Sequence, residues 1–315
     1  MKAIVHDTYG SPDVLALKDI DRPVPERNEV LVRVHAAGLH VGDCFGVRGR
    51  PLPIRLVTGL VKPRRGIPGH DVAGMVEAVG SDVTLFEPGA EVFGGCTGSC
   101  AEYVCVRQDR LAPKPDGPTM EQAGAMPTSA VTALRALRDV GKVKSGRQVL
   151  INGASGGVGT FAVQIAASYG AEVTGVCGPA NVDLVRSLGA RHVVDYTQED
   201  FTAGERRYDV ILDNVENRSL AECRRVLTPT GTLILNSGTG DGSLLKPLVL
   251  SPFIRQSLRR FVAVPNHRDL ATLTELIEAG KLRPVVEQTL PLAETATALR
   301  HIETGHARGK VVITL

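Results

Sequence analysis

The sequence predicts an α/β protein in two parts, a β-rich domain and a doubly wound parallel sheet of six strands. Three observations predict it. From residue 118 onward, short apolar strand runs alternate with helical patterns, the texture of a parallel sheet covered on both faces. The preceding residues instead show strand alternation broken by turn signals such as Tyr9-Gly10-Ser11-Pro12 and Glu87-Pro88-Gly89. Finally, the run Asn152-Gly153-Ala154-Ser155-Gly156-Gly157-Val158-Gly159 joins the apolar strand Gln148–Ile151 to a helical pattern through a glycine-dense turn.

In chain order, Met1–His6 starts as a strand, Val30–Ala36 alternates like a half-buried strand, and Val72–Gly80 reads as another ending in a glycine turn. The texture changes at Pro113–Pro118. Helical patterns follow over 120–126 and 129–140. Strands are expected at 148–153, 172–177, 192–195, 209–214, 231–236 and 261–264, with helices at 157–169, 181–188, 219–227 and 267–279. The tail returns to strand texture at 285–290 and 310–315, around a helix at 293–304, and is expected to rejoin the first domain. That gives domains 1–117 with 268–315, and 118–267 as an insertion, with a cleft between them.

The chain of 315 residues, 43% hydrophobic, is long enough for two cores. A net charge of +2 gives no argument for nucleic acid, and 4% aromatics with no tryptophan argue against a stacking platform. No apolar run is long enough for a membrane span. Met1–His6 shows no leader pattern, and the six cysteines lack a framework spacing, which predicts reduced thiols. The expectation is a cytoplasmic protein with neither nucleic acid nor membrane as partner.

The glycine turn carries chemistry. Glycines let backbone approach an anion, and the unpaired N–H groups of a helix N-terminus point at it. Ala154, Gly156 and Gly159 fit the dinucleotide fingerprint with alanine in first place. Ser155, Gly156, Gly157 and Val158 are then expected to hold a diphosphate. After the second strand, where an acid would bind ribose hydroxyls, the chain reads Cys177-Gly178-Pro179, and no acid occurs between Glu172 and Asp183. A carboxylate there would repel a 2′-phosphate, so its absence tilts the cofactor toward NADPH, with NADH possible. Asn181 and Tyr196 are candidate partners for the ribose or its phosphate.

By these residues the chain resembles the medium-chain dehydrogenases/reductases, in their zinc-free quinone-oxidoreductase-like branch. The resemblance is carried by Tyr9–Leu15, Pro68-Gly69-His70-Asp71-Val72-Ala73-Gly74, Ala101-Glu102-Tyr103-Val104, the turn at 152–159, Tyr208–Val215 and Gly305–Val312. It implies a GroES-like catalytic domain joined to a Rossmann domain, with nicotinamide in the cleft. It further implies a small hydrophobic quinone or enone as substrate, and a homodimer. Asn214 and Val215 would approach the nicotinamide ribose. Asn236 and Ser237 either face the nicotinamide or are ordinary turn residues; Thr132 either meets the carboxamide or is a helix residue; Phe261, opening the sixth strand, either walls the nicotinamide or belongs to the core.

In zinc-dependent relatives the ligand positions fall on His40, His70 and about Thr128. Threonine is a poor third ligand and Asp71 replaces the usual glutamate, so no metal is expected. Cys44 is placed on an irregular loop, and Cys96, Cys100 and Cys105 are read as small loop fillers. His70 reads as a buried, hydrogen-bonded histidine. His40, before Val41-Gly42-Asp43, stands where relatives have asparagine; it either donates a proton or positions the nicotinamide ribose. Phe45 stands near a tyrosine of some quinone reductases and lacks its phenolic proton. His40, Asp43 and Phe45 are the candidate catalytic residues. Arg48–Pro68, with six basic residues, either recruits substrate or is a solvated face. The alternatives are a zinc alcohol dehydrogenase and a non-redox or biosynthetic member that binds NADPH.

Overall fold

The computed structural model describes residues 1–64, 66–236 and 255–315. Two compact units form: Met1–Val131 with Val264–Leu315, and Thr132–Ala263. These divisions lie inside the expected limits of 117/118 and 267/268, and packing explains the shift. Residues 118–131 fold onto the first unit, where a Cβ on Gly38 would meet the Gly124 carbonyl oxygen at 2.2 Å. Pro265 likewise lies against Gly95, whose Cβ would be 2.8 Å from it.

The first unit begins with a two-stranded antiparallel ribbon, β1 (Lys2–Val5) and β2 (Ala16–Asp19). Then follow β3 (Glu29–Leu39), α1 (Val41–Arg48), α2 (Arg55–Thr58), β4 (Asp71–Val79), β5 (Glu91–Gly95), β6 (Tyr103–Arg107), β7 (Leu111–Pro113) and α3 (Met120–Gly124). α4 (Pro127–Arg135) carries the chain across the division, and a π-type turn over Ala136–Val140 ends it. The segment after His40, expected to be irregular, is helical because a capping box nucleates it; Cys44 is therefore on α1. Cys105 is on β6 rather than in a loop.

The second unit holds β8 (Gln148–Asn152), α5 (Gly157–Ser168), β9 (Glu172–Cys177), α6 (Val182–Ser187), β10 (His192–Asp195), β11 (Tyr208–Asp213), α7 (Leu220–Arg225), β12 (Leu227–Leu235) and β13 (Ser257–Arg260). Its sheet runs β10-β9-β8-β11-β12-β13 with every ladder parallel. Sequence order reverses between β8 and β11, so the C-terminal ends of those strands flank the position where such sheets bind ligands. The sixth strand lies at 257–260, not 261–264. Pairing with Thr232–Leu235 of β12 selects Ser257–Arg260, and the more apolar run that follows leaves Val262 exposed. Phe261 therefore follows the strand rather than opening it.

The tail supplies α8 (His267–Glu278), β14 (Val286–Pro291), α9 (Thr295–Glu303) and β15 (Lys310–Thr314). β15 pairs antiparallel with Ala36–Leu39 of β3, while β6 pairs with Glu29–Arg33 of the same strand. The length of β3 follows from serving two partners along one edge. The completed sheet runs β14-β15-β3-β4-β5-β7, so the C-terminus rejoins the first domain as expected. Its core combines β3, β4 and β15 residues such as Val32, Leu39, Val72, Val311 and Ile313.

Candidate active site

In the second unit the turn after β8 is shaped by its glycines. Gly153 has φ 74°, a left-handed conformation that favours glycine. A Cβ on Gly159 would lie 2.0 Å from the Gly153 carbonyl oxygen, so helix and turn are in direct backbone contact. Gly156 differs. It is the N-cap of α5 without a side-chain cap, and its Cβ would meet nothing nearer than 3.5 Å. The first turn of α5 carries no acidic side chain. An open, uncapped helix N-terminus at the sheet's reversal point fits a diphosphate. Ala154 is buried and its N–H is bonded to Val176, which fixes the turn to the end of β9.

Beside this turn three of the predicted cofactor residues, Asn214, Val215 and Asn236, join one polar network. The Asn214 amide donates to the Asn152 carbonyl at 3.0 Å, and the Asn236 amide donates to Asn214 Oδ1 at 2.8 Å. Sequence reasoning missed the organiser, Asp213. Fully buried, it accepts from Asn152 Nδ2 and from the backbone N–H groups of Val215 and Glu216. Burial raises its pKa against those bonds. An acid closing the apolar run Val210-Ile211-Leu212 was the available signal. At the end of β9, Cys177 is buried, which with nearby Asp195 pushes its thiol up to about 11. Tyr196 lies over Gly178, whose Cβ would be 3.1 Å from its hydroxyl; Asn181 follows in the next turn. Thr132 is buried in α4 and Phe261 is half-buried after β13. Ser237 lies outside the described residues, as do Gly238 and Arg65.

In the first unit, His40, Asp43 and His70 meet. His40 caps α1: its Nδ1 accepts from the Gly42 N–H at 3.0 Å, and Asp43 Oδ2 accepts from the His40 N–H at 2.8 Å. Gly42 is needed for this, since a Cβ there would meet the imidazole at 2.6 Å. Asp43 Oδ1 also accepts from the Gly69 N–H at 2.9 Å and from His70 Nδ1 at 2.6 Å. The side chain of Asp43 is fully buried, that of His40 is 19% exposed and that of His70 is 40% exposed, more open than expected. Phe45, half-buried on α1, enters none of these bonds.

The electrostatics divide the two histidines. Burial pushes the His40 pKa down, and the Asp43 charge only partly offsets it. Burial also opposes charge on His70, but the charge and hydrogen bond of Asp43 prevail and hold its pKa above the ordinary histidine value. Burial disfavours the Asp43 charge too, yet His40 and His70 keep the carboxyl well below the usual carboxylate range. With Nδ1 accepting, neutral His40 carries its proton on Nε2. That nitrogen is buried, lacks a partner among the described residues, and lies 3.8 Å from Asp43 Oδ2.

The same three side chains bring ligand atoms within 4.8 Å of one another, close enough for a metal ion. Their engagement leaves only the two Nε2 atoms for zinc, and that of His40 carries the proton while its Nδ1 accepts, so the set fits zinc poorly. Asp43 already accepts three hydrogen bonds, His40 Nδ1 caps a helix, and the third ligand position holds Thr128, whose N–H donates to Asp71 at 2.8 Å. Beside the cluster, Lys310 of β15 and Asp71 form a buried ion pair at 3.5 Å, and the ammonium also donates to Ser129 at 3.1 Å.

A parallel sheet in dinucleotide-binding order, with an open glycine turn at its reversal point, defines a dinucleotide-binding domain, and the relatives make the protein a nicotinamide-dependent oxidoreductase. Residues 26–116 match the family model described as an alcohol dehydrogenase GroES-like domain, and residues 188–313 that of a zinc-binding dehydrogenase. The chain is 34% identical to human NAD(P)H oxidoreductase RTN4IP1, mitochondrial, over 100% of its length and 89% of the relative's. It is 32% identical to the NADPH-dependent alkenal/one oxidoreductase, chloroplastic, of Arabidopsis thaliana, covering 99% of this chain and 79% of that one. Among solved structures, the quinone oxidoreductase from Coxiella burnetii superimposes with a TM-score of 0.89 at 32% identity, covering 100% of this chain and 99% of that one. The chain belongs to the medium-chain dehydrogenase/reductase superfamily, in its quinone-oxidoreductase-like branch.

Proposed function

We propose that the protein is a zinc-independent reductase of quinones or α,β-unsaturated carbonyls that prefers NADPH. The observation that carries the reading is the His40–Asp43–His70 cluster, which offers hydrogen-bond and proton donors where a Lewis acid would need free ligands. The names of the Coxiella and Arabidopsis relatives, a quinone and an alkenal/one oxidoreductase, support these acceptor classes. The NADPH preference rests on the missing acid after β9 and on Tyr196 and Asn181 beside Gly178.

When bound, the reduced nicotinamide supplies a hydride. Ser155, Gly156, Gly157 and Val158 hold its diphosphate at the α5 N-terminus. The His40 Nε2–H donates to the acceptor's carbonyl oxygen, where negative charge develops as hydride arrives. The enolate or hydroquinone anion so formed takes its proton from His70, whose proton affinity Asp43 raises. Asp43 positions both rings. His40 thus acts as a fixed donor, since its lowered pKa leaves it neutral near pH 7. A homodimer paired through the second unit's sheet edge and a cytoplasmic site are part of this reading; the six cysteines form no disulfide among the described residues.

The test is anaerobic oxidation of NADPH and NADH with 9,10-phenanthrenequinone, 1,4-benzoquinone and a 2-alkenal, on protein assayed for zinc. Turnover by zinc-free protein, unchanged by chelator and faster with NADPH, is expected. Activity lost with zinc and restored by it would establish the alcohol-dehydrogenase alternative. Saturable NADPH binding without turnover would sink the general-reductase reading and point to the non-redox or biosynthetic alternative.

A further inference from the structure

Between Arg48 and Gly66 the first unit presents aliphatic side chains that no core packing accounts for. Leu52, Leu56, Val57, Leu60 and Val61 are each between 64% and 88% exposed. Single apolar residues are ordinary on a surface, but five within Leu52–Val61 make a patch. The segment is a built structure. The Tyr9 hydroxyl donates to the Gly59 carbonyl at 2.6 Å and lies 2.8 Å from Thr58 Oγ1. The Arg55 guanidinium stacks 4.5 Å above the Tyr9 ring, and its Nε donates to Gly49 at 3.0 Å. Gly59, at φ 128°, closes the turn where a Cβ would meet the Lys62 carbonyl at 2.1 Å. These bonds hold the aliphatic residues in solvent.

The charge pattern says what covers them. No Asp or Glu occurs between Asp43 and Asp71, while six basic residues do. Arg48 is engaged by Glu303 and Arg55 by Tyr9. Arg50, Lys62 and Arg64 are exposed and make no ion pair among the described residues. We propose that Leu52–Arg64 docks the protein on an anionic lipid bilayer, with its aliphatic side chains in the acyl boundary and Arg50, Lys62 and Arg64 at the headgroup phosphates. Aliphatic groups interleaved with unpaired cations are the composition of an interfacial segment. A nucleic acid would use the cations and leave five aliphatic groups in water. A protein-docking patch would be expected to carry aromatic anchors, and this segment has none. Adsorption needs no spanning segment, and no helix among the described residues is long and apolar enough to cross a membrane. The inference stands whatever the hydride acceptor is.

The experiment is flotation of the full chain with phosphatidylcholine vesicles, with and without phosphatidylserine, at low and high salt. Binding to the anionic vesicles alone, weakened by salt, is expected. Each Lys or Arg near an anionic leaflet is worth about fivefold, so R50Q/K62Q/R64Q should lose about a hundredfold in partitioning. L56S/V57S should lose about tenfold or more. Thermal midpoints and NADPH binding serve as folding controls; should L56S/V57S fail them, the charge variant and the lipid comparison still decide. Absence of flotation, or flotation unchanged in both variants, would overturn the proposal. So would concentration-dependent self-association that L56S/V57S abolishes while vesicles bind nothing, because the patch would then join two copies of the chain.

Discussion

Asp43 does three jobs with two oxygens: it closes the cap of α1, ties down the Gly69 backbone and raises the proton affinity of His70. Asp43→Asn keeps the shape and removes the charge. His70 should then fall from its raised pKa, because burial alone acts on it in the opposite direction. The proton-donating form is present below that pKa, so the alkaline limb of the kcat/KM profile should move to lower pH in the variant. An unshifted limb would sink the assignment of His70. Stability should fall by about 3 kcal/mol in urea titrations, since a buried charge network loses one member. The signs of linkage differ between the partners. The Asp43 contribution is present above the unfolded carboxylate value of about 3.9 and is lost as pH falls below it. The His70 contribution is complete below about 6.5 and is lost as pH rises through the folded value. His40 and Asp43 were legible through the resemblance, which sets His40 where relatives have asparagine; their capping pair was not, since the segment was expected to be irregular. Nor was the bond from Asp43 to His70, because it joins α1 to the start of β4 and no spacing rule predicts it.

At the scale of the element, the glycine turn separates two roles that a motif treats alike. Gly159 allows α5 to pack on the turn, whereas Gly156 leaves space in front of the helix N-terminus. Gly159→Ala forces backbone apart and should cost about 1–3 kcal/mol along with most nucleotide affinity. Gly156→Ala meets no close protein atom, so the thermal midpoint should hold while NADPH affinity drops about tenfold or more in fluorescence titration. Equal affinity in wild type and Gly156→Ala would remove the diphosphate from this turn. The strands and helices around the turn were legible because each carries its own period or apolar run. β13 was misplaced because Phe261-Val262-Ala263-Val264 is the more apolar stretch, while the ladder to β12 selects Ser257–Arg260. Asp213 escaped notice for a related reason: its role lies in three neighbouring donors, two of them backbone.

Across the whole chain, the first unit is discontinuous, and its C-terminal strand must return after the second unit is complete. β15 does so by backbone pairing to β3 and β14, and by one buried ion pair, Lys310 with Asp71. Strand texture at 310–315 foretold the return, but a lysine at its head gave no hint of complete burial. Such a pair stabilises little compared with apolar packing, yet removing one partner leaves the other charged and buried. Lys310→Met should therefore cost about 3–5 kcal/mol, and Lys310→Met with Asp71→Asn should recover part of that loss. Hydrogen exchange reads the two units separately. In Lys310→Met, amides of β3 and β15 should exchange faster while those of β8 and β11 keep their protection. Equal loss in both sheets would mean that the tail supports the second unit as well. No loss in β3 would mean that backbone pairing alone holds the returning strand.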